Sequence, residues 1–189
     1  MGELKKVKTA IVGCGMISTV YLKNLTKLFS IIEVVAVCDM FEELAKKQAA
    51  IFDIPNVLTL DEVCASEEIE MVVNLTGPAA HYSVIKQLLL AGKHVFTEKL
   101  LCFNLEEGKE LVQIAKEKNL YLGVAPDTFL GAGLQTARKV LDSGLIGKPT
   151  SCVACINRNQ ALNSEGFRYI RYTGGSFPYD IGVYYMIYR

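Results

Sequence analysis

An excess of charge of either sign is missing from this sequence: 20 Lys and Arg residues face 20 Asp and Glu over 189 residues, for a formal net charge of zero. That balance excludes the basic footprint of a nucleic-acid-binding surface and the acidic tail of a solvating segment. Long apolar runs are missing too. Glu33, Lys86 and Lys93 break the candidates well short of the roughly 18 residues that a membrane span requires. The opening MGELKKVKTAIVGCG is apolar only briefly before glycines enter, too soon for a signal-peptide core, and Lys6 stands where a myristoylation signal needs Ser or Thr. Histidine is scarce, with His81 and His94 alone. The pair Cys152-Val-Ala-Cys155 supplies two ligands where zinc needs four, so no metal site is expected. Strand alternation would point those two thiols to opposite faces, as core cysteines. All six cysteines are scattered, and a chain this apolar needs no disulfide framework. The expectation is a soluble, reduced, cytoplasmic protein.

What is present is a core, since 51% of the residues are hydrophobic, and a rhythm. Strand-like runs at Val7–Val12, Glu33–Cys38, Val57–Leu60, Met71–Leu75, His94–Thr97 and Leu120–Val124 alternate with helical patterns at 16–29, 41–52, 61–66, 79–91 and 104–118. Runs apolar on both faces, separated by amphipathic helices, predict a parallel sheet covered on both sides. Asn104 and Glu107 have the spacing of a capping box, and Ala91-Gly92 that of a left-handed helix end. Pro126-Asp127 breaks the rhythm. A helix at 131–142 and a strand at Ser151–Ile156 follow, so a boundary near residue 125 divides the chain into domains 1–125 and 126–189.

The first strand runs into Gly13-Cys14-Gly15-Met16-Ile17-Ser18 and then a helix, the pattern of a dinucleotide-binding turn with Ser in the third glycine position. Gly13 permits the tight turn, and Gly15 lets the backbone approach a pyrophosphate held at the amides of Met16, Ile17 and the helix start. The next strand ends in Asp39, 21 residues after Ser18. A carboxylate there accepts hydrogen bonds from both adenosine ribose hydroxyls and repels a 2′-phosphate, while Met40, Phe41 and Glu42 offer no cation. NAD is therefore expected over NADP, with a Rossmann-like domain for another ligand as the competing possibility.

Ligands of open parallel sheets bind beyond the carboxyl ends of the strands. Asn74-Leu75-Thr76-Gly77-Pro78 and Glu98-Lys99 also fall at such ends. Thr76, Pro78 and Glu98 are expected to line the cofactor's path. His81 either contacts that path or is an ordinary residue of the helix start. Lys99 could bind a substrate hydroxyl and relay its proton, which a positive nicotinamide ring nearby would help it release. The alternative is a solvated lysine or one paired with Glu98.

Together AIVGCGMIS, VVAVCD, VNLTGPAAHYSVIKQLLLAGKHVFTEK and PDTFLGAGLQTARKVLDSGLIGKP resemble the Gfo/Idh/MocA oxidoreductases over most of residues 7–150. The resemblance implies a Rossmann doubly wound parallel sheet followed by a second α/β domain, and hydride exchange between a nicotinamide and a carbinol carbon of a sugar, cyclitol or similar polyol. It also implies that Lys99 is the lysine of the family's Glu-Lys-Pro motif, with Leu100 in place of the proline. The family's second motif sets a catalytic His four residues after an Asp. Here Asp180 matches, and Tyr184 holds the His position. Lys99 is then the proton-transfer group, with Tyr184 orienting the hydroxyl and Asp180 holding substrate or fixing Lys99. A phenol ionises only near pH 10 in water, so Tyr184 alone is a poor base. A capped turn followed by an aromatic at a helix start is the other account of this pair.

Family members continue well beyond the Met186-Ile187-Tyr188-Arg189 at which this sequence ends, so residues 126–189 are expected to form the start of a truncated substrate domain. A partial sheet leaves an apolar face that a partner chain, a homo-oligomer included, would cover. Two further functions compete with the dehydrogenase: a non-catalytic NAD(H)-binding module left by truncation, and an assembly subunit.

Overall fold

The computed structural model describes residues 5–153, 155 and 181–186. Its first unit alternates strand and helix: β1 Val7–Val12, α1 Ser18–Lys27, β2 Ile32–Cys38, α2 Glu42–Phe52, β3 Asn56–Val57, α3 Leu60–Ala65, β4 Met71–Asn74, α4 Pro78–Leu90, β5 His94–Thr97, α5 Leu105–Glu117 and β6 Leu122–Val124. The strands pair in parallel in the order β3-β2-β1-β4-β5-β6. The chain therefore winds outward from β1 in one direction and from β4 in the other, the doubly wound Rossmann arrangement. Its switch point lies between the carboxyl ends of β1 and β4.

β1 shows why the runs are apolar on both faces. Ala10 and Val12 belong to one buried layer with Ile85, Leu88 and Leu89 of α4 and Leu111 of α5. Ile11 belongs to the opposite layer, with Leu22 and Leu25 of α1 and Ala45 of α2. Burial of each large aliphatic side chain contributes about 1.5–3 kcal/mol. That packing holds α1 in place, because no side chain caps its first turn.

Register aligns the carboxyl ends. Val12 is paired with Cys38 on one side and Asn74 on the other, Asn74 with Thr97, and Thr97 with Val124. The residues that follow, Gly13, Asp39, Leu75, Glu98 and Ala125, consequently leave the sheet in one row. The opposite edge is built from helix ends: Gly92 (φ 81°), Asp53 and Asn119 (both φ 55°) sit in left-handed conformations that return the chain to β5, β3 and β6.

Three expectations need correction. The strand expected at Val57–Leu60 is Asn56–Val57, because Thr59 and Glu62 form a reciprocal capping box that starts α3 at Leu60. The strand expected at Ser151–Ile156 is not formed at the described residues Ser151–Val153 and Cys155; Ala154 and Ile156 lie outside the described residues. Cys152 and Cys155 are accordingly exposed and not in the core. In α5, Asn104 supplies its half of the anticipated box, its Oδ1 accepting from the Glu107 N–H at 2.9 Å.

The chain divides into two compact units, Met1–Ala125 and Pro126–Arg189. The described part of the second holds a short 3-10 turn (Thr128–Leu130), α6 (Ala132–Asp142) and α7 (Val183–Met186). Among the described residues, no helix is long and apolar enough to cross a membrane, and no group of His, Cys, Asp or Glu is placed to hold a metal ion.

Candidate functional site

The glycine turn is built around two opposite demands. Gly13 has φ 99°, and its N–H donates to the Cys38 carbonyl at 2.8 Å. A Cβ on it would lie 2.5 Å from the carbonyl carbon of Leu75, so only glycine fits between β1 and the exit of β4. A Cβ on Gly15 would meet nothing within 4 Å. That exposed backbone, followed by exposed Met16 and Ile17, leads into α1, whose first amides have no partners within the helix. Ser18, in the third glycine position, is buried and donates its hydroxyl to the Gly15 carbonyl at 2.6 Å, which fastens the turn to the helix.

Asp39 is half-buried beside that turn. Its Oδ2 accepts from the Cys14 N–H at 2.7 Å and its Oδ1 from the Phe41 N–H at 2.9 Å. One lone pair on each oxygen is thus committed, and one on each is left for a ligand. Cys14 and Cys38 are buried beneath the carboxylate. Burial, with Asp39's charge adding to it, pushes their thiols up to about 12 and about 11. Neither is a nucleophile at neutral pH.

At the end of β4, buried Asn74 donates to the Thr97 hydroxyl at 3.0 Å, and its Oδ1 accepts from the Thr76 hydroxyl at 2.8 Å and the Thr76 N–H at 3.3 Å. This pair of contacts shapes the turn through Thr76 and Gly77 into Pro78, which occupies the first turn of α4 with Gly77 as its N-cap.

His81, one turn into α4, is fully buried. Its Nε2 lies 2.8 Å from the Thr76 carbonyl, and its Nδ1 contacts the Leu100 carbonyl. The imidazole joins two loops from behind, and its nitrogens are taken up by backbone rather than directed outward.

Glu98 follows β5. Its Oε1 accepts from the Tyr21 hydroxyl at 2.6 Å, and its Oε2 from the Lys99 N–H at 3.1 Å. Lys99 is half-buried, and the Lys99–Leu100 peptide bond is cis. Gly13, Gly15, Asp39, Thr76, Glu98 and Lys99 therefore fall along one sheet edge, with Pro78 and His81 just beyond in α4. In the second unit, Tyr184 lies in α7, its N–H donating to the Ile181 carbonyl at 3.1 Å. Asp180 lies outside the described residues.

Sequence reasoning missed Tyr21, Asn74 as the organiser of Thr76, and the role of Cys14's amide. Tyr21 had a signal: a phenol beside the apolar Leu22 and Leu25 on the inward side of α1. Asn74 had one too, as a buried amide ending an otherwise apolar strand.

A switch point between β1 and β4, an open glycine turn at a helix start and a carboxylate at the next strand's end define a dinucleotide-binding Rossmann domain. The Gfo/Idh/MocA model, described as an oxidoreductase family with an NAD-binding Rossmann fold, matches residues 7–125. The chain belongs to this family. It is 32% identical over 182 residues to an uncharacterized oxidoreductase of Schizosaccharomyces pombe, covering 93% of this chain and 48% of that protein. It is 29% identical over 158 residues to an inositol 2-dehydrogenase/D-chiro-inositol 3-dehydrogenase of Lactiplantibacillus plantarum, covering 79% and 43%. A putative myo-inositol dehydrogenase from Sinorhizobium meliloti 1021 superposes with a TM-score of 0.78 at 22% identity, covering 97% of this chain and 54% of the other. The chain spans about half the length of the relatives it matches.

Proposed function

We propose that this chain carries the cofactor-binding and proton-transfer part of an NAD-dependent dehydrogenase acting on a carbinol carbon of a sugar, cyclitol or related polyol. The observation that carries the reading is the single row in which the glycine turn, Asp39, Thr76 and Glu98-Lys99 leave the sheet. The name of the Lactiplantibacillus plantarum relative supports the substrate class.

The residues fit the dinucleotide. The space around Gly15 is one that a Cβ would fill, the start of α1 offers amides and a partial positive charge for phosphates, and Asp39 keeps one lone pair per oxygen for the ribose hydroxyls. When bound, the nicotinamide supplies the carbon that takes or gives hydride. Lys99 Nζ binds the substrate hydroxyl and holds its proton. Glu98 and the Thr76 turn bound the same stretch of the edge. Asp180 and Tyr184 are assigned from their motif, Asp180 to hold substrate and Tyr184 to orient the hydroxyl.

Preference for NAD over NADP follows from charge. The Asp39 carboxylate repels a 2′-phosphate, and Met40, Phe41 and Glu42 bring no cation to offset it. Fluorescence titration of the chain with NADH and NADPH in parallel should show saturable binding at least about tenfold tighter for NADH. Loss of a charge-assisted bond of about 1.5–3 kcal/mol in Asp39→Ala should weaken NADH about 10- to 100-fold and narrow the preference. Equal affinities in the parent chain, or a preference unchanged in the variant, would overturn the ribose role. Turnover in a polyol screen then separates a dehydrogenase from a module that only binds NAD(H).

A further inference from the structure

We infer that Tyr21 is a positioning residue which, through Glu98, sets the Lys99–Leu100 segment relative to the helix that begins at the glycine turn. The inference rests on the assignment of Lys99 as proton carrier and deepens it. Tyr21 lies in the first turn of α1, three residues after Ser18. Its ring packs tilted against Phe96 of β5, with centroids 6.5 Å apart, so the hydroxyl is aimed from a fixed base. It donates to Glu98 Oε1 at 2.6 Å, a charge-assisted bond, while the other carboxylate oxygen takes the Lys99 N–H. Both oxygens of Glu98 are therefore held, one from the cofactor helix and one from the segment that presents the lysine.

The torsion that turns a glutamate carboxylate is broad and roughly two-fold, so a carboxylate held at one oxygen turns easily, and one held at both does not. One residue further on, the Leu100 carbonyl is held by His81. Lys99 is thus bracketed by anchored groups at 98 and 100. Removing the Tyr21 hydroxyl leaves the carboxylate held at one oxygen only, so the Lys99 segment loses its fixed reference at 98 while the glycine turn, Asp39 and α1 stay untouched. The expected signature is a loss in kcat with little change in cofactor binding.

Tyr21→Phe keeps the ring and its packing on Phe96 and deletes one oxygen. Hydrogen exchange at the Lys99 backbone amide is the primary measurement, because it reads the Glu98 contact whether or not the chain turns over a polyol. In Tyr21→Phe the Lys99 amide should exchange about tenfold faster, as expected for losing a bond to a charged group, while the β1 amides keep their protection. Glu98→Gln, with one acceptor oxygen for two donors, should give a similar acceleration. The double variant should exceed the larger single effect by less than twofold, since both changes act on one contact. With a substrate that the parent chain oxidises, kcat of Tyr21→Phe should fall about tenfold, with KM for NAD within twofold. Exchange at Lys99 within twofold of the parent, two single effects that multiply, or loss of β1 protection would each overturn the positioning role. A parent chain that binds NADH but turns over no polyol defeats the proposed function, and the exchange measurement still decides the Tyr21–Glu98 link.

Discussion

Gly13 and Gly15 are two residues apart and do different work. At Gly13 the constraint is internal, since a positive φ coincides with a place where a Cβ would strike the backbone of Leu75 and Thr76. Gly13→Ala should cost about 2–4 kcal/mol in urea unfolding, from the left-handed backbone and the overpacking together. At Gly15 the space outside is open, so Gly15→Ala should change stability by less than about 1 kcal/mol yet weaken NADH at least about tenfold by occupying ground that phosphates need. Equal effects on stability would contradict this division. The glycine turn and Asp39 stood out in the sequence as candidates, because they form a pattern of fixed spacing. His81 stood out as a candidate for the cofactor path, but its contact with Leu100 did not, and neither did that of Tyr21 with Glu98. Each acts on a group at least 19 positions away in sequence, His81 on Leu100 and Tyr21 on Glu98, and no local pattern records such a contact.

Among the elements, the short ones gave the sequence reading most trouble. β1, β2, β4 and β5 have enough apolar, β-branched residues to announce themselves, whereas β6 is only Leu122-Gly123-Val124 and starts two residues later than expected. β3 is two residues long and α3 six, so where one stops and the other starts is decided by Thr59 and Glu62 and not by periodicity. The Thr59 hydroxyl accepts from the Glu62 N–H at 3.2 Å, and the Glu62 carboxylate accepts from the Thr59 N–H at 2.7 Å. Thr59→Ala should cost about 1 kcal/mol and should first appear as faster hydrogen exchange within α3. Unchanged exchange there would mean that burial of Val63 alone holds the helix. A run such as Ser151–Val153, which is not in a strand, shows a further limit: a strand exists only with a partner, and a run of residues cannot display its partner.

For the whole molecule, the alternation of strand and helix and the apolar character of both strand faces were enough to specify a doubly wound sheet. The alternation also placed Asp39, Thr76 and Glu98-Lys99 at strand ends; what it could not supply was the pairing register that brings those ends level. The same sheet buries Cys14 and Cys38, and this gives stability a pH dependence. The folded chain keeps both thiols protonated well above their ordinary value of 9.0, whereas the unfolded chain releases them there. Stability from this source is full below about pH 9 and declines as pH rises toward 11, because the unfolded state then binds fewer protons. The decline approaches about 1.4 kcal/mol per pH unit for each thiol. A Cys14→Ala/Cys38→Ala variant should show a shallower alkaline loss in urea titrations between pH 8 and 11; an identical slope would place the titrating groups elsewhere. The two edges of the sheet also differ in kind. At the amino edge, left-handed helix ends meet Lys93, whose buried ammonium is held by the Ser66 and Ile69 carbonyls; at the carboxyl edge stand open backbone and carboxylates. One margin is thus closed by its own chain and the other left partly open, so a change at an open position such as Gly15 is expected to spare the fold that a change at Gly13, packed against Leu75, would disturb.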